Sequence, residues 1–186
     1  RFTLENYTVF NIASNFRFNL MINISFQSTS IATVSFDSGK PSNLLSFSQM
    51  RSLTKVANDL KSNKKLAAVI LTGNINKNFS FGFDLRDKEL KNLNNSDQSV
   101  KRDYFLIGKE MCDAWESLPF LTICLISGWC VGGGLALAVS LDLRIASSSS
   151  KFYVPEIERG LNMSWGSIPR LNALLGPAKT KRLVLL

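Results

Sequence analysis

The residues best suited to chemistry in this sequence form a glycine turn, Gly132-Gly133-Gly134, between two apolar segments. The run 121–126 is typical of a buried strand, and the run 135–141, which contains no breaker, is typical of a buried helix. Adjacent glycines at such a junction tolerate a positive φ and let another molecule approach the backbone closely. The first helical amides lack intrahelical acceptors, so they could hold a carbonyl oxygen that becomes negative during a reaction. The same glycines equally fit a turn that serves only tight packing.

Composition limits the side chains that could complete such a site. The chain has 186 residues and no histidine, which excludes Ser–His and Cys–His catalysis and most zinc sites. Its three cysteines, Cys112, Cys124 and Cys130, form no Cys-x-x-Cys pair, so we expect neither a disulfide framework nor a metal site. Acid–base chemistry must therefore fall to a carboxylate, tyrosine, lysine or cysteine. Unpaired cysteines also favour a reducing, cytoplasmic setting.

The net charge of +8 favours anionic partners such as phosphates or acidic proteins. The basic residues are scattered, and the small clusters at 61–65 and 179–182 are typical of solvated helix faces. Neither cluster is interleaved with aromatic residues, so we predict no nucleic-acid binding. The uncharged run 117–141 exceeds the about 20 residues that cross a bilayer. Because Pro119 and the glycines would interrupt a spanning helix, we predict no membrane span.

The elements that would position the glycine turn follow an alternating order of strands and helices. Period-two patterns over 16–26 and 32–36 predict a hairpin. Apolar residues three and four apart predict an amphipathic helix over 46–63, with Ser46 as its N-cap, and another over 100–117. A buried strand is expected at 66–71, a further strand at 143–146, and a mobile polar loop at 91–98. This order predicts an α/β class with covered sheets and no second folded domain.

The chain also carries a series of short motifs in a fixed order. They are Leu71-Thr72-Gly73, Phe79-Ser80-Phe81-Gly82-Phe83-Asp84-Leu85, Gly128 with Gly132-Gly133-Gly134, Asp142-Leu143-Arg144-Ile145-Ala146, Phe152, Pro155-Glu156-Ile157 and Gly160-Leu161. In this order and spacing they resemble the crotonase superfamily, the enoyl-CoA hydratases and isomerases. The resemblance covers residues 19–186 and leaves residues 1–18 as an N-terminal extension or arm. It implies a crotonase-like α/β spiral of strand-strand-helix units, here with the usual C-terminal helical part truncated.

The resemblance further implies that the protein binds an acyl thioester of coenzyme A. By motif position, the backbone amides of Phe83 and Gly133 would hold the thioester oxygen as it becomes an enolate, with Glu156 as the acid–base residue. The substrate would also contact its neighbours in these motifs, namely Phe81, Gly82, Asp84, Leu85 and Gly132. Coenzyme A enters as part of the substrate, and no separate cofactor is expected. Family members assemble as trimers or pairs of trimers, so a homotrimer or hexamer is expected if the C-terminal helices exist.

Two residues depart from the family pattern. Ala136 stands where the hydratases have a further glutamate, and an alanine cannot transfer a proton, which favours a double-bond shift by Glu156 alone over hydration. Phe81 stands where a small residue is usual, and its ring could narrow the pocket or stack on the ligand. The alternative for Phe81 is an aromatic ladder with Phe79 and Phe83 on one strand face. The alternative for Glu156 is a surface residue paired with a cation such as Arg159.

Three functions remain open from the sequence. The first is an enoyl-CoA isomerase, or an atypical hydratase, with one catalytic glutamate. The second is a decarboxylase or dehydratase that acts on substrates tethered to an acidic acyl carrier protein, whose docking the positive charge would assist. The third is a crotonase-like binding or scaffold protein without activity.

Overall fold

The structure, a computed structural model, describes residues 22–74, 76–93 and 96–186. The predicted arm of residues 1–18 and the first part of the predicted strand over 16–26 lie outside the described residues. The boundary at residue 19 therefore stays a prediction.

Seven strands lie in the described residues. They are β1 (Ile22–Phe26), β2 (Ile31–Phe36), β3 (Ala68–Thr72), β4 (Leu121–Ile126), β5 (Trp129–Val131), β6 (Leu143–Ala146) and β7 (Lys151–Tyr153). The main sheet has the order β1-β2-β3-β4-β6, in which β1 and β2 form the predicted antiparallel hairpin and the other neighbours pair in parallel. β5 and β7 form a separate parallel pair.

The helices in the described residues follow the strands in the order of an α/β protein. They are α1 (Phe47–Lys61), α2 (Lys88–Asn92), α3 (Gln98–Glu116), α4 (Gly133–Ala138), α5 (Ser167–Leu175) and α6 (Pro177–Leu185), with a 3₁₀ turn at Ile157–Arg159. Ser46 caps α1 as predicted, because its side chain accepts a hydrogen bond from the Gln49 amide. The parallel strands and their crossover helices confirm the predicted α/β class.

One face of the main sheet forms the core with α1, α3 and α4. Alternate residues of the strands point into this core, among them Val34, Leu71 and Ile126, and Trp115 of α3 is fully buried with them. The opposite face carries exposed apolar side chains such as Leu121 and Ile145. The prediction that the run 121–126 is buried throughout is therefore wrong for one face of β4.

The bounds of several elements differ from the predictions. β5 was missed, because three residues between glycines carry no periodic signal. α4 begins at Gly133 itself and ends at Ala138, three residues before the end of the predicted helix. α2 covers Lys91 and Asn92, which fell in the predicted loop. The C-terminal helices α5 and α6 had no counterpart among the predicted elements.

Candidate active site

The turn that carries Phe83 is held by a backbone bridge to Leu45. The Leu45 amide donates to Gly82 O at 2.8 Å, and the Asp84 amide donates to Leu45 O at 3.0 Å. Because Leu45 bonds to the residues on either side of Phe83, the amide of Phe83 itself points away from Leu45. The Phe83 amide accordingly has no acceptor among the described residues. Gly82 reaches this geometry with a φ of +84°, which glycine adopts without strain.

Asn43, which sequence reasoning missed, positions the segment that leads into this turn. Its buried side chain donates from Nδ2 to Phe79 O at 2.7 Å and to Phe36 O at 3.2 Å. Ser80 Oγ donates to Asn43 O at 2.8 Å and accepts the Gly82 amide at 3.0 Å. Since buried backbone groups must be paired, these bonds fix the path of the chain toward Phe83. The sequence signal was an asparagine in the polar turn after β2, where Asn tolerates its φ of +43°.

The glycine turn places a second unpaired amide beside the first. The Gly132 amide donates to Tyr153 O at 2.9 Å, whereas Gly133 begins α4 and its amide has no acceptor in the described part of the chain. A β-carbon on Gly133 would lie 3.3 Å from Phe83 N, and one on Gly82 would lie 2.8 Å from Gly133 N. The amides predicted to act together therefore meet at one place, where two donors can face one oxygen.

Gly134 supports the alternative that the glycines serve tight packing. A β-carbon on Gly134 would lie 2.7 Å from Ser80 O and 2.8 Å from Ser80 Cβ. Gly134 is therefore needed for close contact between α4 and the Ser80 segment. Gly133 is also closely packed, since a β-carbon there would overlap Trp165 Cζ3, and it lies beside the Phe83 amide as well.

The Glu156 carboxylate lies against the same glycine turn. A β-carbon on Gly132 would lie 2.6 Å from Glu156 Oε1, so glycine leaves the space that the carboxylate occupies. Glu156 precedes the 3₁₀ turn, and its carbonyl accepts the amides of Arg159 at 3.0 Å and Leu161 at 2.8 Å. These bonds, with the bond from Gly132 to Tyr153, hold the carboxylate beside the turn.

Partial burial gives the Glu156 carboxyl the character of a proton acceptor. Desolvation raises its pKa, and a hydrogen bond to its own backbone and the charge of Arg159 oppose that rise only in part. Its Oε2 is buried and has no hydrogen-bond partner among the described residues. No salt bridge to Arg159 forms within 4.0 Å in the described part of the chain, so the alternative of an ion-paired surface residue is not supported. A desolvated carboxylate with an unpaired oxygen suits general acid–base chemistry.

Ala136, at the position of the further glutamate of the hydratases, lies in α4 and is buried. It stands two residues after Gly134, within the run of apolar side chains that faces the core. Its methyl group can neither donate nor accept a proton. The glycine turn therefore carries no carboxylate of its own.

The other predicted substrate contacts lie on the surface around the Phe83 turn. Phe81 is 38% exposed and Leu85 is 50% exposed. Asp84 accepts the Arg86 amide at 3.0 Å and lies 4.0 Å from the Lys40 ammonium group.

The predicted alternative of an aromatic ladder is wrong, because each ring of the Phe79–Phe83 segment packs on a different aromatic residue. Phe79 contacts Phe36 with ring centroids 5.4 Å apart, and Phe81 contacts Trp129 at 5.9 Å. Phe83 contacts Phe47 at 5.1 Å.

Trp165 also borders the paired amides and was missed by sequence reasoning. A β-carbon on Gly133 would lie 2.6 Å from Cη2 of its indole ring. The ring of Phe83 packs edge-on against that indole, with centroids 6.3 Å apart. No periodic pattern or motif singled out this tryptophan, because the contact joins parts of the chain distant in sequence.

The three cysteines do not have the low pKa values of reactive thiols. Burial raises the pKa of the Cys112 thiol to about 12 and raises the pKa values of Cys124 and Cys130 as well, so these thiols stay protonated at neutral pH. Within residues 22–74, 76–93 and 96–186, no cluster of acidic residues and cysteines could hold a metal ion. In the same residues, no helix is long and apolar enough to span a membrane.

Comparison with known proteins gives the class of this fold and site. The crystal structure of an enoyl-CoA hydratase/carnithine racemase from Magnetospirillum magneticum superposes with a TM-score of 0.79 and 28% identity, over 89% of this chain and 60% of that chain. An enoyl-CoA hydratase from Bacillus anthracis superposes with a TM-score of 0.77 and 25% identity, over 88% of this chain and 61% of that chain. The fold is that of the crotonase superfamily.

The family follows from the sequence comparison. The family model for enoyl-CoA hydratase/isomerase matches residues 27–186. The chain is 30% identical over 154 residues to the short-chain-enoyl-CoA hydratase of Clostridium acetobutylicum, which covers 83% of this chain and 57% of that protein. This chain belongs to the enoyl-CoA hydratase/isomerase family, and it spans little more than half the length of that curated relative.

Proposed function

We propose that this protein performs enolate chemistry on acyl-CoA thioesters, as an enoyl-CoA isomerase that shifts a double bond with Glu156 as its acid–base residue. One observation carries the proposal. A half-buried carboxylate lies beside the same glycine turn as the amides of Phe83 and Gly133, and neither its Oε2 nor these amides have a hydrogen-bond partner among the described residues. Membership of the family supports a coenzyme A thioester as the substrate class.

The proposed reaction moves one proton and one double bond. The amides of Phe83 and Gly133 donate to the thioester oxygen, while Glu156 accepts a proton from the α-carbon of a 3-enoyl group. The electron pair released from the C–H bond spreads onto the oxygen and forms a dienolate. Glu156 then returns the proton to the γ-carbon, which leaves a 2-enoyl thioester. Each oxyanion donor of this kind is typically worth about 2.7–4 kcal/mol of the barrier.

Hydration is the second candidate, because the relative from Clostridium acetobutylicum is named a short-chain-enoyl-CoA hydratase. Hydratases of the family use a pair of glutamates to add water across the double bond. In this chain Ala136 leaves Glu156 to serve as both base and acid in that addition. The single carboxylate fits a proton transfer between two carbons of one substrate more directly.

Proton exchange tests the step that both reactions share. The protein is incubated with butyryl-CoA in deuterated water, and uptake of deuterium at the α-carbon is followed by mass spectrometry. We expect exchange that falls at least about 100-fold in Glu156→Gln, because general base catalysis contributes about 10²–10⁴-fold. Glu158→Gln is the matched control, since Glu158 is an exposed carboxylate that bonds to Tyr153. Absence of exchange, or equal rates in Glu156→Gln and wild type, would contradict the proposal.

Product analysis separates isomerisation from hydration. We expect 3-hexenoyl-CoA to be converted to 2-hexenoyl-CoA faster than crotonyl-CoA is hydrated. Ala136→Glu places a carboxylate at the position of the further glutamate of the hydratases. Because Ala136 is buried, circular dichroism must first show that the variant keeps the wild-type fold, and the folded variant should then show more hydration relative to isomerisation. Faster hydration than isomerisation by the wild type would favour the hydratase.

A further inference from the structure

Trp165 occupies an unusual position between two helices that have glycines facing it. It lies in the loop before α5 with a φ of +56°, a left-handed conformation that tryptophan rarely adopts. Its indole fills the place that a side chain at Gly108 of α3 would take, because a β-carbon there would overlap Cε2 and Nε1. The same ring lies over Gly133 at the start of α4. The indole is therefore wedged between α3 and the amide pair.

A network of charged groups holds the loop in this position. Arg170 Nη1 donates to Trp165 O at 2.8 Å. The same guanidinium donates from Nη2 to Asp113 Oδ1 at 2.8 Å and to Glu116 Oε2 at 2.6 Å, both at the end of α3. Its side chain is only 10% exposed. Since charge-assisted bonds are strong and directional, the loop is tethered to the helix that the indole packs against.

The position of the indole limits the space beside the oxygen-binding amides. Trp165 packs edge-on against Phe83, so the two aromatic side chains border the amides of Phe83 and Gly133 on the side of α3. An acyl chain whose thioester oxygen lies at the amides cannot extend toward Gly108 while the indole fills that place. Without the indole, the absence of a side chain at Gly108 would leave that place empty.

We infer that Trp165 is a specificity-determining residue that restricts this protein to short acyl chains by blocking the space between the amide pair and Gly108. The inference rests on the proposed function, because it assumes an acyl thioester with its oxygen at Phe83 and Gly133. It names a residue and a direction of chain growth that neither the family match nor the relatives assign.

The test compares dissociation constants for butyryl-CoA and decanoyl-CoA, measured by titration calorimetry, so that it does not depend on turnover. Wild type should bind butyryl-CoA at least about tenfold more tightly than decanoyl-CoA, since a few methylenes that do not fit a pocket cost this much. Trp165→Ala should shift the ratio by at least about tenfold toward decanoyl-CoA. Phe105→Ala is the control, because it also removes an aromatic ring from the neighbourhood of α3, but an exposed one. It should leave the ratio of the two dissociation constants unchanged.

A second variant that fills the space left by the indole distinguishes a role in specificity from a role in stability alone. In the Trp165→Ala background, Gly108→Leu places a new side chain where the indole lay and should restore the preference for butyryl-CoA. A general loss of folding would instead weaken both ligands equally and would not be rescued. Equal binding of the two ligands by wild type, or an unchanged ratio in Trp165→Ala, would overturn the inference.

The two proposals fail in different ways. If wild type exchanges α-protons but shows no chain-length preference, the proposed function stands and the role of Trp165 is refuted. If wild type shows the preference and its loss in Trp165→Ala but exchanges no α-protons, the role of Trp165 stands and the catalytic proposal is refuted. If neither thioester binds, both are refuted.

Discussion

Gly132 and Glu156 depend on each other at the scale of single residues. Gly132 has φ and ψ of +50° and −115°, a backbone conformation that is essentially restricted to glycine. It also leaves the space into which the Glu156 carboxylate fits. The carboxylate is thereby drawn into a partly desolvated position in which its pKa rises. The glycine next to Gly133 thus also determines where the Glu156 carboxylate lies.

Replacement of Gly132 tests this dependence. We expect Gly132→Ala to lower the free energy of unfolding by at least about 1–3 kcal/mol, because of backbone strain, and to reduce α-proton exchange by displacing the carboxylate. Gly39→Ala is the matched control, since Gly39 has a φ of +75° but an added β-carbon would meet nothing within 4 Å. Chemical denaturation of Gly39→Ala should show a comparable loss in the free energy of unfolding, whereas its rate of α-proton exchange should equal that of wild type. Equal exchange in the two variants would show that Gly132 does not position Glu156.

The raised pKa of Glu156 makes stability depend on pH in a defined direction. Because the folded pKa lies above the unfolded one, folding favours the protonated carboxyl, and this contribution is present at low pH and lost as pH rises through the folded pKa. Glu156→Gln keeps a neutral group at all pH values. Denaturation at a series of pH values should therefore show a gain in stability of this variant relative to wild type as the pH rises from the unfolded pKa of a glutamate, about 4.3, through the folded pKa. Glu158→Gln should show no such gain, and a gain of equal size there would contradict the assignment to burial of Glu156.

At the scale of elements, two short connections bring the site together. Asn43 lies in the turn after β2. Its side chain donates hydrogen bonds to the carbonyls of Phe36 and Phe79 and so joins β2 to the segment before Phe83. The connection after β4 delivers β5, which pairs with β7 and bridges Ser80 through Cys130. The two amides therefore meet because both segments converge on Ser80.

Asn43 should consequently affect both stability and activity. Asn43→Ala removes the donors to two buried carbonyls, each of which costs about 1–3 kcal/mol when left unpaired. We expect the free energy of unfolding to fall by about 2–4 kcal/mol, and kcat for exchange to fall more than KM rises, because the Phe83 amide shifts relative to Gly133. Asn63→Ala, which loses only an exposed bond to the Lys65 amide, is the control. A loss of stability with unchanged kcat would show that Asn43 does not position the amide.

These elements differ in how far the sequence could predict them. β4 and β6 were predicted to the residue, because β4 ends before Ser127 and Gly128 and β6 lies between Asp142 and Ser147. Phe83, Gly133 and Glu156 were singled out because their motifs lie in a recognisable order, and the structure places all three at the glycine turn. Asn43 and Trp165 were not found, since the contacts of Asn43 with Phe79 and of Trp165 with Gly133 join distant parts of the chain that no local pattern connects.

At the scale of the whole molecule, the C-terminal helices are held by few buried side chains. In α5 only Ser167 and Leu171 are buried, and in α6 only Thr180 is, whereas α1 buries seven residues. Elements with little buried apolar area open locally at a lower free energy than the core. The guanidinium of Arg170, bonded to Asp113 and Glu116 of α3, therefore carries a large share of their attachment.

Arg170 should thus control the opening of α5 and α6 more than global unfolding. In Arg170→Met we expect amide hydrogen exchange to accelerate across Ser167–Leu185, while β3 and β4 keep their protection, because the core between sheet and helices is untouched. High salt should accelerate exchange in wild type in the same region but less in the variant, since partly exposed ion pairs are screened. Arg51→Met, which removes an ion pair to Glu89 elsewhere, is the control and should leave α5 and α6 unchanged. Uniform acceleration across the sheet and both helices would mean that the C-terminal helices open only with the core, and that the tether to α3 governs the stability of the entire fold.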